Sequence, residues 1–401
     1  MNQVLFARQP IFDARLDVSG YELLFRKTGD DRAVFFDGDH ATARVVVNAF
    51  SGSGSADILN GKPAFINLTA NLINSGSIQM LPKNRAVLEI LEDVRVDSQM
   101  IRNVKELVQA GYKIALDDFE WRPEMLPLVR LASFIKLDIM NLTPAQVRRN
   151  LAILRPYKAK LVAEKVETQA EFDLCLSQGF DHFQGFFLAK PQKISGRRIP
   201  AHHASMLHLL SRISDPGLSI HEINRLICRD VGLSYRFLKI VNSAYYNLPG
   251  KVVSIQHALS LLGLDFTRMW VSLIALAAIE DKPDEVFMTG AIRAKMCELL
   301  AKEHGADRTS SYYVVGLLSI LDALMDAPLT DIVRDLPLDD DIMSALVERR
   351  GPMSSALDCV VAHEECRWSE VAFGGLDTDT IQKTYLEAIT WASETQKTVA
   401  A

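Results

Sequence analysis

A chain of 401 residues exceeds one typical domain, and two domains of about 200 residues each are the natural division. A hydrophobic content of 48% with 23% charged residues is that of a soluble globular protein with a core in each half, which excludes a disordered or fibrous chain. The net charge of −6 gives no global pull toward nucleic acid or an anionic membrane, so neither is an expected partner, although a local basic groove stays open.

Cys175, Cys228, Cys297, Cys359 and Cys366 are scattered and odd in number, which argues against a disulfide framework and for a reducing compartment. Cys359, His363 and Cys366 lack a fourth ligand and the usual zinc spacing. The N-terminal stretch carries Arg8 and Asp13, unlike a signal peptide. The longest nearly apolar run, Met269 to Ile279, falls far short of the roughly 20 residues that span a bilayer. The expected location is cytoplasmic.

Val4 to Phe12 reads as a first strand, broken by Arg8-Gln9-Pro10, and Leu16 to Arg26 as a second. The turn between them is too short for a crossover helix, so an antiparallel pair is expected. His40 to Phe50 reads as an amphipathic helix ended by the glycine-serine tract Ser51 to Ser55.

Next comes a repeated device in which apolar runs deliver one polar group apiece. They are Asn67, Glu89, the pair Asp117-Asp118, Lys136, Glu164 and Gln184, and from Asn67 onward they lie 22, 28, 19, 28 and 20 residues apart. Each gap fits one strand, one helix and two short loops, so the pattern predicts βα units that bring these groups to one face. The helix Ser98 to Ala110, with Gly111 after it, is the clearest of the set. A lone Asp or Asn after a strand is commonly a helix cap. Six in register predict a shared site, and converging carboxylates and an amide repel one another unless a cation sits among them. Hard oxygen ligands suit Mg²⁺ or Mn²⁺.

Gln9-Pro10-Ile11, Glu22-Leu23-Leu24-Phe25-Arg26, Asn67, Glu89-Ile90-Leu91-Glu92, Asp117-Asp118-Phe119, Lys136-Leu137-Asp138, Ala163-Glu164-Lys165-Val166-Glu167 and Gln184-Gly185-Phe186 stand in the order and spacing of the EAL domain. The stretch from residue 4 to about 191 resembles this family of cyclic di-GMP phosphodiesterases, whose fold is a TIM-like (βα)8 barrel with one antiparallel strand. The resemblance implies hydrolysis of cyclic di-GMP to linear pGpG with two divalent metals, Mg²⁺ or Mn²⁺. It implies Glu22, Asn67, Glu89, Asp117 and Asp118 as metal ligands. Lys136 would orient or deprotonate the attacking water, Gln184 would help place it, and Glu164 would be close by with Glu167. Gln9 and Arg26 would contact the ligand, and Glu92 would anchor the loop after Asp118. Paired cations can clamp the attacking and leaving oxygens of an in-line displacement.

Three departures bear on this. Active members continue Asp-Asp-Phe with Gly-Thr-Gly, whereas this chain continues Glu120-Trp121-Arg122-Pro123-Glu124 and reaches Lys136 early. The loss removes backbone freedom. Lys165 stands where the family has glycine, and either competes with bound metal or points to solvent. Leu91 replaces a threonine hydroxyl.

After Pro191 the texture changes to a polar, basic stretch, Gln192 to Pro200, and beyond it consecutive helices are predicted. The domains are expected as 1–195 for the barrel, 196–203 for a linker and 204–401 for an all-helical unit. The helices read as Ala204 to Ile213, Ser219 to Asp230, Ser234 to Asn242, Ser254 to Leu262, Phe266 to Ile279, Asp284 to His304, Ser311 to Asp326 and Asp341 to Glu348. Ser219 with Glu222 forms a capping-box pattern and Ser254 an N-cap. Asp339-Asp340-Asp341 reads as an acidic helix start.

The stretches Asp230 to Arg236, Lys239 to Tyr246, Ser254 to Ala258 and Leu261-Leu262-Gly263 resemble the HDOD domain, a relative of HD phosphohydrolases without their active site. In catalytic relatives a Gly-Leu-Leu stretch leads into a His-Asp metal doublet, but Gly316-Leu317-Leu318 leads here into Ser319-Ile320. This half is therefore expected to be a regulatory or partner-binding module for an unknown protein. EAL barrels often pair, so the resemblance also allows a homodimer. Two readings of the barrel stand beside each other. It is an enzyme acting on cyclic di-GMP, or a degenerate receptor or interaction scaffold without turnover; a nonspecific nuclease fits the Gln9 and Arg26 positions poorly.

Overall fold

The computed structural model describes residues 4–27, 58–69, 81–92, 94–189, 217–242, 252–277, 282–334 and 338–400, with isolated positions at 73, 78, 207, 209–210, 212–213, 215, 279 and 336. The chain divides into two compact units, one of residues 1–190 with 363–369 and one of residues 191–362 with 370–401. The helix expected over 40–50, the Gly-Ser tract, the linker 196–203 and most of the helix expected over 204–213 lie outside the described residues.

The first unit is a closed barrel of eight strands in chain order. They are β1 (Val4–Asp13), β2 (Val18–Lys27), β3 (Ala64–Leu68), β4 (Ala86–Ile90), β5 (Lys113–Leu116), β6 (Phe134–Asp138), β7 (Lys160–Glu164) and β8 (His182–Gln184). β1 runs antiparallel to both β2 and β8, and every other neighbouring pair is parallel. This is the TIM-like barrel with one antiparallel strand that the resemblance implied. All five residues of β3 and of β4 are buried, as expected for parallel strands covered on both faces.

Inside the barrel Ile11, Phe65, Val87, Ala115 and Val162 pack together with Phe134. Each Phe or Val so buried contributes roughly 1.5–3 kcal/mol. The crossover helices carry local stop and start signals. Asp97 caps Ser98–Gln109 by accepting from the Gln99 and Met100 amides, each at 2.9 Å. Thr143 with Gln146, and Thr168 with Glu171, close capping boxes ahead of Pro144–Leu154 and Gln169–Gln178. The connection from β5 to β6 is shorter, a 3₁₀ turn Pro123–Met125 running into Leu126–Val129.

No strand occurs among the described residues of the second unit. Its helices include Ile220–Cys228, Val231–Val241, Ile255–Leu262, Leu264–Ala277, Asp284–His304 and Thr309–Leu318. The capping box of Ser219 with Glu222 and the Ser254 cap both form. Asn242 is structural: its side chain donates to the carbonyls of Leu238 and Val252 and accepts from the Val252 amide. The helix expected over 311–326 is two, Thr309–Leu318 and Leu321–Met325, and the stretch over 341–348 widens into a π turn at Ser344–Glu348. Two long helices, Pro352–Glu364 and Thr378–Ala400, are absent from the sequence reading. Among the described residues no helix is long and apolar enough to cross a membrane.

Candidate active site at the barrel mouth

Strand register aligns the polar residues. Gln9 lies opposite Glu22, Asn67 opposite Glu89, and Asp138 opposite Glu164, while Ile11 sets Gln184 beside β1. Asp117 directly follows β5, where its amide is held by the Ile90 carbonyl at 2.9 Å. Carboxylate oxygens of Glu22, Glu89 and Asp117 all come within 4.8 Å of one another, the one such group of metal-ligating side chains among the described residues.

Lys136 stands at the centre of this group with no exposed surface. Its Nζ lies 2.9 Å from Glu22, 3.0 Å from Glu89, 2.8 Å from Asp117 and 2.8 Å from Glu164. Glu22 is also fixed from two other sides: Asn67 donates to its Oε1 at 2.8 Å and Gln184 to its Oε2 at 2.7 Å. The same Gln184 nitrogen donates to Gln9 Oε1 at 2.9 Å. Thus Gln9, Glu22, Asn67, Glu89, Asp117, Lys136, Glu164 and Gln184 form one connected cluster.

Four carboxylates around one ammonium leave three uncompensated negative charges if all ionise (4 − 1 = 3). Burial therefore raises Glu89 well above the carboxylate range, with the Glu22 charge adding to it. Burial likewise raises Asp117, against the pull of Lys136. Burial pushes Glu164 up to about 8, again against Lys136. Glu22 is the exception, since Lys136 and the hydrogen bonds from Gln184, Lys136 and Asn67 outweigh its burial and hold it below the ordinary value. For Lys136 the four carboxylates outweigh burial and keep the ammonium charged far up the pH scale. A lysine so held is a cation fixed among the carboxylates, in the place from which the resemblance has it act on the water.

Beyond the oxygens that face Lys136, four buried oxygens of the cluster have neither a hydrogen-bond nor an ion-pair partner: Asn67 Oδ1, Glu89 Oε2, Glu164 Oε2 and Gln184 Oε1. Buried acceptors without donors are costly. All four are hard oxygen donors beside excess negative charge, so the residues fit Mg²⁺ or Mn²⁺.

The remaining expected residues stand apart. Asp118 has a left-handed backbone with φ of 40°. Burial raises its carboxyl, and its charged neighbours are Lys165, Glu92, Asp138 and Lys136. Glu92 is exposed and supports the loop through its carbonyl, which accepts from Arg122 Nη2 at 3.1 Å. The Glu167 amide donates to Glu171 Oε2 at 2.8 Å, next to a helix start. Arg26 lies on β2 opposite Leu5, and its side chain is outside the described residues. Asp138, not singled out from the sequence as a site residue, is buried and binds Lys165. Its place in the Lys136-Leu137-Asp138 run was the available signal.

Gly185 after Gln184 is required by close approach. Its φ is 150°, and a Cβ there would lie 2.1 Å from the Val166 carbonyl oxygen. The helical unit holds a separate cavity of about 450 Å³ lined in part by Arg268, Lys295, Arg308 and Trp391. Each of its cations already faces an acid, Asp265 at 3.7 Å, Glu298 at 2.7 Å and Asp339 respectively.

Comparison with known proteins agrees with both units. The EAL domain matches residues 55–191 and the HDOD domain residues 199–327. The chain is 34% identical to the uncharacterized protein YuxH of Bacillus subtilis, over 97% of this chain and 98% of that protein. It is 32% identical to the cyclic di-GMP phosphodiesterase CdgJ of Vibrio cholerae, over 98% of this chain and 93% of that protein. Among solved structures, the Bacillus subtilis YkuI protein, with an EAL domain and in complex with cyclic di-GMP and calcium, is similar over 65% of this chain and 73% of that one, with 20% identity and a TM-score of 0.36. The chain belongs to the family of proteins in which an EAL domain is followed by an HDOD domain.

Proposed function

We propose that the barrel hydrolyses cyclic di-GMP to linear pGpG, and that the helical unit is a non-catalytic regulatory or partner-binding module. The observation that carries this reading is the buried cluster of Glu22, Asn67, Glu89 and Asp117 with its unpartnered oxygens. The 32% identity to a cyclic di-GMP phosphodiesterase over nearly the whole chain supports the choice of substrate.

Glu22, Glu89 and Asp117, with Asn67 Oδ1, would hold Mg²⁺ or Mn²⁺, which when bound polarises the scissile phosphate and lowers the pKa of a water. The chain's own residues do the rest. Lys136 neutralises part of the carboxylate charge and fixes the carboxylates in place. Glu164 Oε2, buried and without a donor, is the atom positioned to accept a proton from the attacking water when the carboxyl is ionised, a form that a bound cation favours. Gln184 locks Glu22 and Gln9 together, so Gln9 is held at the rim where a guanine or phosphate edge would lie. The reaction adds one water across one phosphodiester: the oxygen joins phosphorus, the ester bond to the 3′ oxygen breaks, and that oxygen leaves as a hydroxyl.

The test is turnover of cyclic di-GMP by the full chain with Mn²⁺ and with Mg²⁺, read as pGpG by chromatography beside Glu22→Ala. We expect pGpG from the parent and at least a hundredfold less from the variant, since Glu22 accepts from Asn67, Gln184 and Lys136 at once. Equal product from both would overturn the assignment. Binding of cyclic di-GMP without product would favour the receptor reading, to which the loop Glu120–Glu124 and its Pro123 turn point.

A further inference from the structure

The cavity of about 450 Å³ in the helical unit takes no part in the chemistry proposed for the barrel. Sites for small molecules commonly run from roughly 300 to 1,000 Å³, so the volume suits one ligand of nucleotide size. Most of its wall comes from four helices, Leu264–Ala277, Asp284–His304, Thr309–Leu318 and Thr378–Ala400. Ser319 and Ile320, which stand where catalytic HD relatives carry metal ligands, do not line it.

Two features of the lining decide what it can hold. One side is aromatic, with Phe266, Tyr313 and Trp391, and Tyr313 stands edge-on to Trp391 at 6.2 Å and an interplanar angle of 88°. Such a wall favours a flat ring. The charges beside it balance, since Arg268, Lys295 and Arg308 are matched by Asp265, Glu298 and Asp339 (3 − 3 = 0). A polyanion therefore meets no net attraction. A ring that offers acceptors and donors side by side can instead bond an ammonium and its carboxylate together.

Lys295 and Glu298 form such a pair, 2.7 Å apart, with side chains 21% and 26% exposed. Lys295 Nζ also lies 5.5 Å from the centre of the Trp391 ring, which anchors the ammonium against the aromatic wall. Glu298 Oε2 takes one of the three ammonium protons, which leaves two to donate and Glu298 Oε1 to accept. Guanine meets both demands: its O6 and N7 accept from a lysine, and the adjacent N1–H and N2–H donate to a carboxylate. Adenine carries an acceptor at N1 in place of that donor, and its lone pair would face the carboxylate.

We propose that this cavity binds a guanine nucleotide through its base, held between the aromatic wall and the Lys295–Glu298 pair. The inference stands on residues of the helical unit alone and does not depend on turnover in the barrel.

The experiment is calorimetric titration of the full chain, in chelator, with guanosine monophosphate, adenosine monophosphate and inorganic phosphate, for the parent, Glu298→Gln and Lys295→Met. Both substituted side chains are partly exposed, and melting followed by circular dichroism checks that the variants stay folded. The parent should bind guanosine monophosphate saturably and adenosine monophosphate about tenfold more weakly, with phosphate unable to compete. Each variant should weaken guanosine monophosphate by about tenfold, the share of one hydrogen bond to a charged group. No binding of guanosine monophosphate by the parent, equal binding of the two nucleotides, or competition by phosphate would overturn the inference without any variant. Unchanged binding in both variants would place the nucleotide elsewhere in the chain and overturn it as well.

Discussion

The two units bury polar side chains in different ways. Among the described residues, the buried acids Glu22, Glu89, Asp138 and Glu164 all belong to the barrel, whereas the buried polar side chains of the helical unit include Thr267, Ser272, Ser311, Ser354 and Thr384 together with Arg293. A hydroxyl can satisfy itself on a nearby helix carbonyl, as Thr267 does on Gly263 at 2.9 Å and Thr384 on Ile381 at 2.7 Å. A carboxylate cannot, since it only accepts. The barrel mouth therefore carries a standing electrostatic cost that packing alone would remove, and the helical unit does not. Such cost without structural need is what marks a site of chemistry.

Removing the central cation breaks this contrast most sharply. In Lys136→Met the four carboxylates lose their common partner, and loss of one member of a buried pair costs about 3–5 kcal/mol. For a unit of this size that lowers the melting temperature by on the order of 10 °C. Added Mn²⁺ should restore much of it. A variant as stable as the parent in chelator would mean that the cluster is solvated.

The second effect is a pH dependence centred on the barrel mouth. The Glu164 carboxyl titrates near 4.5 in the open chain and at about 8 when folded. Between those values the folded protein keeps a proton that the unfolded chain has lost, so stability falls as pH rises from 4.5 to about 8. Glu89 and Asp117 are shifted the same way and steepen the fall. Lys136, raised above 10.5, stays charged throughout and leaves the slope alone. Calorimetry in chelator at about pH 5 and about pH 9 should show a drop of several degrees, reduced in Glu164→Gln and largely abolished by Mn²⁺, because binding requires the deprotonated ligands.

How much of this was legible follows from which residues do the burying. The barrel strands are apolar runs, and six polar groups at nearly regular intervals announced a shared face. Register, which brings Glu22 to Asn67 and Gln184 from distant parts of the chain, was not in any single run. The open question at Lys165, metal competitor or solvent-facing residue, could not be decided because its partner Asp138 lies 27 positions away and its direction is set by a left-handed turn. In the second unit, Pro352–Glu364 was missed because its buried face is built from Ser354, Ala356, Cys359 and Ala362 alongside Met353, Leu357 and Val360, which blurs the periodicity. Thr378–Ala400 likewise buries Thr384, Ser393 and Thr395. The break after Leu318 arises where Ser319 Oγ turns back onto the Gly316 carbonyl at 2.7 Å.

A matched pair of glycine variants sharpens the comparison at smaller scale. A Cβ at Gly185 would meet the Val166 carbonyl oxygen at 2.1 Å, and one at Gly316 would meet the Arg293 carbonyl oxygen at 2.5 Å. Both neighbours are backbone, so each alanine forces a main-chain shift costing more than about 1 kcal/mol. Only Gly185→Ala moves Gln184, and with it Glu22. Its turnover should fall at least tenfold in folded protein, while Gly316→Ala keeps parental turnover. Equal losses would mean that the units cannot be separated in this way.

Ser319→Ala gives the smallest effect and addresses the helical unit's chemistry directly. Ser319 stands where catalytic HD relatives begin their metal doublet, but its hydroxyl is committed: it donates to the Gly316 carbonyl and accepts from Arg293 Nη1 at 3.3 Å. The following Ile320 is 1% exposed, and its Cδ1 lies 2.4 Å from where a Cβ on Gly290 would be, so an aliphatic side chain packs where the relatives have a ligand. Deleting the hydroxyl removes two hydrogen bonds, the one from Arg293 long at 3.3 Å, worth about 0.5–1.5 kcal/mol each. Melting should shift by a few degrees at most, with Mn²⁺ stoichiometry and pGpG formation unchanged. A loss of metal or of turnover in Ser319→Ala would show that the helical unit contributes chemistry of its own.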